Sequence, residues 1–326
     1  MTNGVFMNKE ISVVMTTYNG EKYIKEQLDS ILSQTLLPKE IVVVDDCSTD
    51  GTWSILNDYA KKCSIVKITR NENNLGAHQN FRKAFSLSSC DIIAPSDQDD
   101  IWMKNKLEVL CDILVEKDVE LVYSQDDILW EDGRIEYYRR EMPSVLELIW
   151  SNSLRGHTFL FRRELLSVFD VAKILAFDYA LPLLASLRDS YASSEQALTV
   201  WRRHEGVMNT VFSEKSELVV SNVSTRRKTK SAFVHLREGM SNPIQVNFSD
   251  KARIFSEFLD GPKGEILSRI CDNVAKQTHW SMLCASLGNM RVQQYEGGLK
   301  NKLALAFWAF RQPWVYWYDT HKLKSL

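Results

Sequence analysis

Short apolar runs and longer amphipathic stretches alternate along the first hundred residues of the chain. Four runs rich in β-branched residues predict strands, two of which end in polar residues: 11–20, 40–46, 65–69 and 91–95. Three stretches between them carry apolar residues three or four positions apart and predict helices: 23–34, 52–62 and 76–88. Strands that alternate with helices form a parallel sheet with helices on both faces, so the pattern predicts an α/β fold.

Polar residues follow three of these strands where each strand ends. The three groups are Thr17-Tyr18-Asn19, Asp45-Asp46 and Asp97-Gln98-Asp99. In open α/β sheets, ligands bind outside the carboxyl ends of the strands, so we expect the groups to share one edge and form one pocket. Asp45 and Asp46 would also suit the cap of the following helix, but three such strand ends together favour a nucleotide-sugar pocket.

Asp97 and Asp99 point to a metal ion in this pocket. Carboxylates this close in sequence repel one another unless a cation or a proton relieves them. Mg²⁺ or Mn²⁺ is typically held by one or two carboxylates together with substrate phosphates. An isolated Asp-x-Asp is usually a solvated loop, whereas its place at a predicted strand end favours a metal–diphosphate site. Trp102, just beyond, is expected to be a core residue or a pocket wall.

Four segments of the first half resemble family 2 glycosyltransferases of the GT-A fold. They are SVVMTTYNGEKYIKEQLDSILSQT, EIVVVDDCSTDGT, NENNLGAHQNF and SDQDDIWMKNKL, and they cover most of residues 10–110. The last two are most similar to the bacterial rhamnosyltransferase-type subgroup. The resemblance implies a mostly parallel, Rossmann-like sheet flanked by helices, with a helical C-terminal extension, and a hexosyltransferase that uses a nucleotide sugar.

The same resemblance implies roles for individual residues of this half. The residues expected to contact the nucleotide sugar are Thr17 and Tyr18 beside the base, Asp45 and Asp46 at the nucleoside, Arg70 and Asn74 near the base or phosphates, and Asp97 near the ribose. Which of Asp45 and Asp46 contacts the base stays open. Asp97 and Asp99 are expected to bind Mg²⁺ or Mn²⁺.

The second half carries weaker similarity. The segment FDYALPLLA resembles the family's helix start that holds the general base, which implies that Asp178 accepts the acceptor's proton in an inverting transfer. A helix cap is the alternative role for Asp178, and Phe177 stands where relatives carry a second acid. The segment TVWRRHEG resembles the family's aromatic-Arg-x-His segment, which implies that Arg202 neutralises phosphate and His204 completes the metal site.

Two further motifs receive no chemical role. The segment RGHTFLFRRELL resembles a small-residue turn that lines the acceptor site, and His157 stands where relatives carry a small or thiol residue, so no chemistry is assigned to it. The predicted strand 121–124 is followed by Asp126 and Asp127, which are expected to be solvated loop charges.

Composition sets the remaining limits. The 326 residues suffice for a catalytic domain over 1–212, with a nucleotide-sugar half at about 10–110 and an acceptor half at about 111–212, and for a mainly helical region over 213–326. The net charge of −2 gives no electrostatic basis for nucleic-acid binding. The six cysteines show no metal or disulfide spacing and are expected to be reduced. No secretory signal or membrane-spanning run is evident, so a cytoplasmic location is expected.

The last 27 residues combine aromatic rings with flanking cations. This composition suits a membrane interface, where rings lie at headgroup level and cations meet anionic lipids, although a helix packed on the domain or an oligomer contact would also fit. Segment 300–326 is therefore expected to bind peripherally at the cytoplasmic face of the inner membrane. The oligomeric state is left open.

Together these features predict an inverting, metal-dependent glycosyltransferase. The expected donor is dTDP-L-rhamnose, with a UDP-sugar as the alternative, and the expected acceptor is a hydroxyl of a glycan or lipid-linked glycan of the cell surface. A non-catalytic sugar-nucleotide binding protein would keep the acidic groups without needing Asp178. A nucleotidyltransferase would need a glycine-rich basic loop, whereas the turn after the first strand has one glycine. A glycoside hydrolase would need two flanking carboxylates instead of a diphosphate site.

Overall fold

The computed structural model describes residues 9–138, 143, 145, 148, 154–172, 175–204, 243–276, 283, 285 and 287. The predicted boundary at residue 212 and the aromatic segment 300–326 lie outside these residues. The chain divides into two compact units. The first comprises 1–142, 153–167 and 176–204, and the second comprises 143–152, 168–175 and 205–326.

In chain order, the helices and strands of the described residues are β1 (Ile11–Thr17), α1 (Ile24–Leu32), β2 (Glu40–Asp45), α2 (Thr52–Lys62), β3 (Val66–Arg70), α3 (Ala77–Leu87), β4 (Ile92–Ser96), β5 (Ile101–Trp102), α4 (Lys106–Glu116), β6 (Leu121–Leu129), β7 (Ile135–Tyr138), β8 (Phe159–Arg162), α5 (Val168–Val171), α6 (Phe177–Leu187), β9 (Tyr191–Arg202), α7 (Pro243–Phe258) and α8 (Pro262–Lys276). Two 3₁₀ turns, Gly156–Thr158 and Arg163–Ser167, flank β8. The seven elements predicted for the first hundred residues are therefore confirmed.

A single sheet runs through the first unit in the order β3-β2-β1-β4-β8-β6-β9-β5, with β7 paired to β6. The strands β3, β2, β1 and β4 are parallel, as the alternating pattern predicts. Beyond β4 the sheet is mixed, because β8 is antiparallel to both β4 and β6, whereas β9 is parallel to β6 and antiparallel to β5. The first half of the sheet is therefore entirely parallel, and the second half combines parallel and antiparallel pairs.

Strand β6 continues well past the end that its sequence suggests. It runs through Asp126 and Asp127, which pair with Thr199 and Val200 of β9. Asp126 is almost completely buried. The expectation of a loop is therefore wrong for both residues, because pairing on both sides carries the strand through a charged stretch, and the expectation of a solvated charge is wrong for Asp126.

The hydrophobic core of the first unit lies between the sheet and its helices. Strands β1 and β2 are buried along nearly their whole length, and Trp102 lies in the same core, as expected. Among the described residues, Cys47, Cys63, Cys90, Cys111 and Cys271 form no disulfide. Among the described residues, no helix is long and apolar enough to cross a membrane.

In the second unit, α7 and α8 pack against each other. Ile254 and Phe255 of α7 are buried, as are Ile270 and Val274 of α8. Apolar residues at helical spacing therefore form the buried faces of both helices.

The buried carboxylate of Glu40 joins four elements at the amino ends of the parallel strands. It accepts hydrogen bonds from Ser12 Oγ at 2.6 Å, from Lys67 Nζ at 2.5 Å and from the backbone N–H of Ser89 at 2.6 Å. Burial raises the pKa of Glu40, but these hydrogen bonds outweigh it and lower the pKa from 4.5 to about 2. The ionised carboxylate of Glu40 therefore stabilises the folded protein at this edge of the sheet.

Replacing Glu40 by Gln should lower the free energy of unfolding at pH 7 by about 1–3 kcal/mol, because its hydrogen-bond donors lose a charged acceptor. Since the folded pKa is depressed, this contribution is complete above about pH 4.5 and is lost as the pH falls towards 2. Urea denaturation of both proteins measures the difference. The matched control is Glu10→Gln, which removes an exposed pair with Lys39 and should cost less than about 1 kcal/mol. Equal effects of the two changes would contradict the role given to Glu40.

Candidate functional site

The loop after β4 consists of Asp97, Gln98, Asp99 and Asp100, so three of its four residues are acidic. Gln98, the remaining residue, points towards the loop after β1, where its Oε1 accepts the backbone N–H of Tyr18 at 3.0 Å and its Nε2 donates to the Tyr18 carbonyl at 3.1 Å. A Cβ on Gly20 would lie 2.2 Å from Gln98 Oε1, so the absence of a side chain there allows this approach. The side-chain amide of Gln98 thus links the loop after β4 to the loop after β1.

Asp100 and Asp97 meet the imidazole of His157. Its Nδ1 lies 3.1 Å from Asp97 Oδ2 and 3.1 Å from Asp100 Oδ2, and its Nε2 lies 3.4 Å from Asp126 Oδ2. Arg155 forms an ion pair with the same Asp126 oxygen. His157, Asp100 and Asp126 are buried, so this is a charged cluster inside the protein.

The charges in this cluster perturb one another. Burial lowers the pKa of His157, but Asp100, Asp126 and Asp97 outweigh it and raise the pKa to about 9. Burial raises the pKa of Asp100, and the nearby Asp97 and Asp99 add to the rise. The carboxylates therefore need a positively charged partner. Such a group of carboxylates is expected where a protein holds a proton or a cation.

The geometry of the cluster fits a divalent cation. Asp97, Asp100 and His157 can each offer one ligand atom, and these atoms lie within 4.8 Å of one another. Asp100 Oδ2 is buried and, apart from its ion-pair contact with His157 Nδ1, no hydrogen bond to it is found among the described residues. Carboxylate oxygens suit Mg²⁺ and Mn²⁺, and the imidazole of His157 becomes an acceptable further ligand when the cation displaces its proton. The residues present therefore fit the ion that the acidic motif predicts.

Asp99 and His204, both predicted as metal ligands, form a separate pair beside this cluster. His204 Nε2 lies 3.0 Å from Asp99 Oδ2, and its ring lies 4.5 Å from that of Tyr23, centroid to centroid. Burial raises the pKa of Asp99, with Asp97 as the next cause. Arg202 donates through Nε to the Asp99 carbonyl at 3.1 Å and pairs with Glu26 at 2.6 Å. The end of β9 is thereby fixed against the acidic loop.

Asp45 and Asp46 are both buried at the end of β2. The Asp45 carboxylate accepts from Thr17 Oγ1 at 3.0 Å, from Ser48 Oγ at 2.5 Å and from the Ser48 backbone N–H at 3.0 Å, and it lies 3.3 Å from Arg70 Nε. These contacts organise the loop between β2 and α2, where Gly51 is at the N-cap position.

The Asp46 carboxylate organises the loop before α3. Its Oδ1 accepts from Asn71 Nδ2 at 2.7 Å and from the Leu75 N–H at 2.8 Å, and its Oδ2 accepts from the Gly76 N–H at 2.9 Å. Asn74 donates to the Asp46 carbonyl at 3.3 Å. Tyr18 is about half exposed beside these loops. The predicted nucleotide-contacting residues of the first half therefore line neighbouring loops at one sheet edge.

Asp178 lies in the first turn of α6, where Ala176 and not Asp178 takes the N-cap position. It is partly buried. Burial raises its pKa from 3.8 to about 6, and the charge of Asp97 contributes to the rise. A Cβ built on Gly156 would lie 3.3 Å from Asp178 Cβ, so Asp178 sits against the Gly156–Thr158 turn that carries His157.

Sequence reasoning missed three members of the cluster, namely Asp100, Asp126 and His157. Asp100 directly follows the motif of Asp97 and Asp99. Its position as a third acid in the same short loop is the signal that could have identified it. His157 follows the Arg-Gly pair of the turn, and no local pattern marks it as a partner of Asp126. The structure brings Asp97 together with these residues and keeps Asp99 with His204.

Comparisons with known proteins identify the family and the fold. The chain matches the family model described as "Glycosyl transferase family 2" over residues 12–174, which is half of its length. It is 30% identical over 207 residues to the dTDP-rhamnosyl transferase RfbG of Shigella flexneri, covering 59% of this chain and 72% of that protein. It is 28% identical over 185 residues to the UDP-Glc:alpha-D-GlcNAc-diphosphoundecaprenol beta-1,3-glucosyltransferase WfgD of Escherichia coli, covering 56% and 72%.

Among solved structures, the chain is similar to residues 1–349 of S. aureus TarS, whose complexes contain UDP or UDP-GlcNAc. The TM-score is 0.52 and the sequence identity 21%, with 95% of this chain and 92% of the other covered. At this identity the likeness concerns the fold, and it confirms the fold class predicted from the sequence.

Replacing Gly156 by Ala should destabilise the protein by about 1–3 kcal/mol, because the new Cβ would lie 2.3 Å from Phe177 Cζ. Thermal denaturation measures the loss. The same change made together with Phe177→Leu, which removes the ring atoms in question, should cost clearly less than it does in the wild-type background. An equal loss in both backgrounds would show that the close contact with Phe177 is not what requires glycine.

Proposed function

The chain belongs to glycosyl transferase family 2 and is a glycosyltransferase, and from this premise we propose an inverting, divalent-metal-dependent transfer of a sugar from a nucleoside diphosphate to a hydroxyl group. The observation that carries the proposal is the arrangement of Asp97, Asp100 and His157 with Asp178 beside the turn that holds His157. A cation site and a carboxylate base so placed are the two groups that such a transfer needs.

The proposed nucleoside contacts come from the ends of β1 and β2. A carboxylate offers about four acceptor positions, and the described partners of Asp45 account for four, whereas those of Asp46 account for three. Asp46 is therefore our choice for the hydrogen bond to the base or ribose, and Asp45 holds the loop. Thr17 and Tyr18 border the base, with Arg70 and Asn74 beside them.

The finer donor assignment is dTDP-L-rhamnose, with a UDP-sugar as the alternative. The first is supported by the similarity to RfbG, a dTDP-rhamnosyl transferase, and the second by the similarity to WfgD, which uses UDP-Glc. The acceptor class that we propose is a precursor of a cell-surface polysaccharide. The similarity to WfgD, whose name specifies a diphosphoundecaprenol-linked sugar as the acceptor, supports a lipid-linked glycan. The proposed peripheral membrane contact through residues 300–326 would suit such an acceptor.

Asp97, Asp100 and His157 would hold Mg²⁺ or Mn²⁺, with Asp99 and His204 at its side. A bound divalent ion supplies charge stabilisation to the departing diphosphate. Arg202 lies at the Asp99 carbonyl, where its guanidinium places a further positive charge beside the acidic loop. Asp99 and Glu26 keep this arginine in position.

Asp178 would act as the general base. As the acceptor oxygen bonds to the anomeric carbon, the carboxylate takes the hydroxyl proton, and the bond from that carbon to the diphosphate oxygen breaks. The electron pair of the broken bond leaves with the nucleoside diphosphate, so the configuration inverts without a covalent intermediate. The raised pKa of about 6 makes Asp178 a stronger base than an exposed aspartate and leaves it mostly ionised at neutral pH.

Nucleotide binding should raise the melting temperature in a metal-dependent way, because a ligand that binds only the folded state stabilises it according to its concentration over Kd. A thermal-shift panel of dTDP, dTDP-rhamnose, UDP and UDP-sugars, each with and without Mn²⁺, measures this. Asp97→Ala and Asp100→Ala should remove the metal-dependent part of the shift. A larger shift with UDP-sugars than with dTDP-rhamnose would favour the alternative donor, and no shift with any nucleotide would contradict the proposed donor site.

Asp178→Asn should reduce kcat by about 10²–10⁴-fold, the usual contribution of a general base, while the nucleotide-induced thermal shift is retained. In the wild type, kcat/KM should fall towards acid pH, since a protonated Asp178 cannot accept a proton. The pKa of about 6 belongs to the cation-free protein and is the upper limit for this fall, because a cation beside Asp97 would lower the pKa of Asp178. Product formation across pH measures both effects. Asp189→Asn, at an exposed position after α6, is the matched control and should leave kcat unchanged. Loss of nucleotide binding in Asp178→Asn would show instead that this residue supports the donor pocket.

A further inference from the structure

Lys106 is a completely buried lysine at the first position of α4. Two effects oppose a lysine here. An ammonium group loses its hydration on burial, and the amino end of a helix carries partial positive charge. Its surroundings must therefore supply compensating contacts, and these contacts lead directly to the candidate active site.

Each contact of the Lys106 ammonium is well defined. Nζ donates to the carbonyl of His157 at 2.5 Å and to Thr199 Oγ1 at 2.8 Å, and it lies 3.8 Å from the centre of the Trp102 ring. An ammonium has three N–H groups, and the two acceptors and the aromatic face are enough to receive them. The side chain thus links α4, the Gly156–Thr158 turn and β9.

The carbonyl that Lys106 holds belongs to the turn on which the active site depends. This turn presents the His157 imidazole to Asp97 and Asp100, and its Gly156 faces Phe177 and Asp178. The turn is only three residues long, so its orientation must be set by contacts from other elements. The His157 carbonyl receives one such contact from the buried ammonium.

We propose that Lys106 is a positioning residue: by holding the His157 carbonyl it fixes the Gly156–Thr158 turn, and with it both the imidazole of the cation site and the surface against which Asp178 lies. This inference rests on the proposed function. Because Lys106 is completely buried, its proposed effect on the reaction acts through His157 and Asp178.

The test is Lys106→Met in the full chain, which keeps most of the length of the unbranched side chain and removes its donors. The Kd for Mn²⁺, measured by electron paramagnetic resonance of the free ion, should rise about 10–100-fold, as expected when a partner that orients a metal ligand is lost. At saturating Mn²⁺, kcat should fall while the donor KM changes little, because the nucleoside pocket is built from other loops. A merely structural lysine would not produce this split.

Two further variants keep the experiment decisive. Lys104→Met, at an exposed position two residues earlier, is the matched control and should leave all parameters unchanged. Thr199→Val removes the other acceptor of Nζ and should shift the Mn²⁺ Kd in the same direction by less. Its effect should be non-additive with that of Lys106→Met. If Lys106→Met does not fold, Thr199→Val alone carries the test, and an unchanged Mn²⁺ Kd and kcat would overturn the proposal.

The remaining outcomes separate this inference from the function on which it rests. If the wild type binds Mn²⁺ and transfers sugar but Lys106→Met does both equally well, the positioning role is wrong and the enzyme proposal stands. If Lys106→Met lowers the melting temperature and weakens donor and metal binding alike, Lys106 is structural. If the wild type neither binds Mn²⁺ nor transfers sugar, both proposals fall together.

Discussion

Electrostatic repulsion among several carboxylates at the end of one strand is the constraint on which the rest of the site depends. Asp97, Asp99 and Asp100 follow β4 directly, and the buried Asp126 joins them from β6. Charges of one sign are tolerated inside a protein only where opposite charges and hydrogen-bond donors lie beside them. The basic residues that surround the acidic loop come from three different parts of the chain, and they are Lys106, Arg155, His157, Arg202 and His204.

The mixed half of the sheet explains how residues so distant in sequence arrive at this loop. Because β8 is antiparallel to β4, the turn that precedes β8 lies at the edge where β4 ends. Because β6 is antiparallel to β8 and β9 is parallel to β6, the carboxyl ends of both strands reach that same edge. Asp126, His157 and the end of β9 therefore meet the acidic loop as a direct result of strand direction, and the reversal after β4 is what makes the site possible.

This origin also explains how far the sequence could predict the site. The parallel half was predictable because each strand and helix of 11–95 carries its own periodicity, and the acidic residues mark where the strands end. The roles of His157 and Asp126 could not be predicted, because strand pairing across the sheet brings these residues together and no local sequence pattern encodes that pairing. Lys106 was equally hidden, since a lysine at a helix start usually faces solvent, and only the packing of α4 against β9 buries it. Long-range strand order, not residue type, separates the predicted part from the missed part.

The acidic cluster and the base are coupled by the same electrostatics. The charge of Asp97 is one of the causes of the raised pKa of Asp178, second to burial. A divalent cation on Asp97 would offset that charge, so the pKa of Asp178 would move towards its ordinary value and the carboxylate would be more fully ionised at neutral pH. A proton acceptor would thus be prepared as the diphosphate site is completed. In this arrangement the repulsion among the carboxylates makes a cation necessary, and it also links cation binding to the protonation state of Asp178. The Gly156–Thr158 turn contacts both the cation site and Asp178.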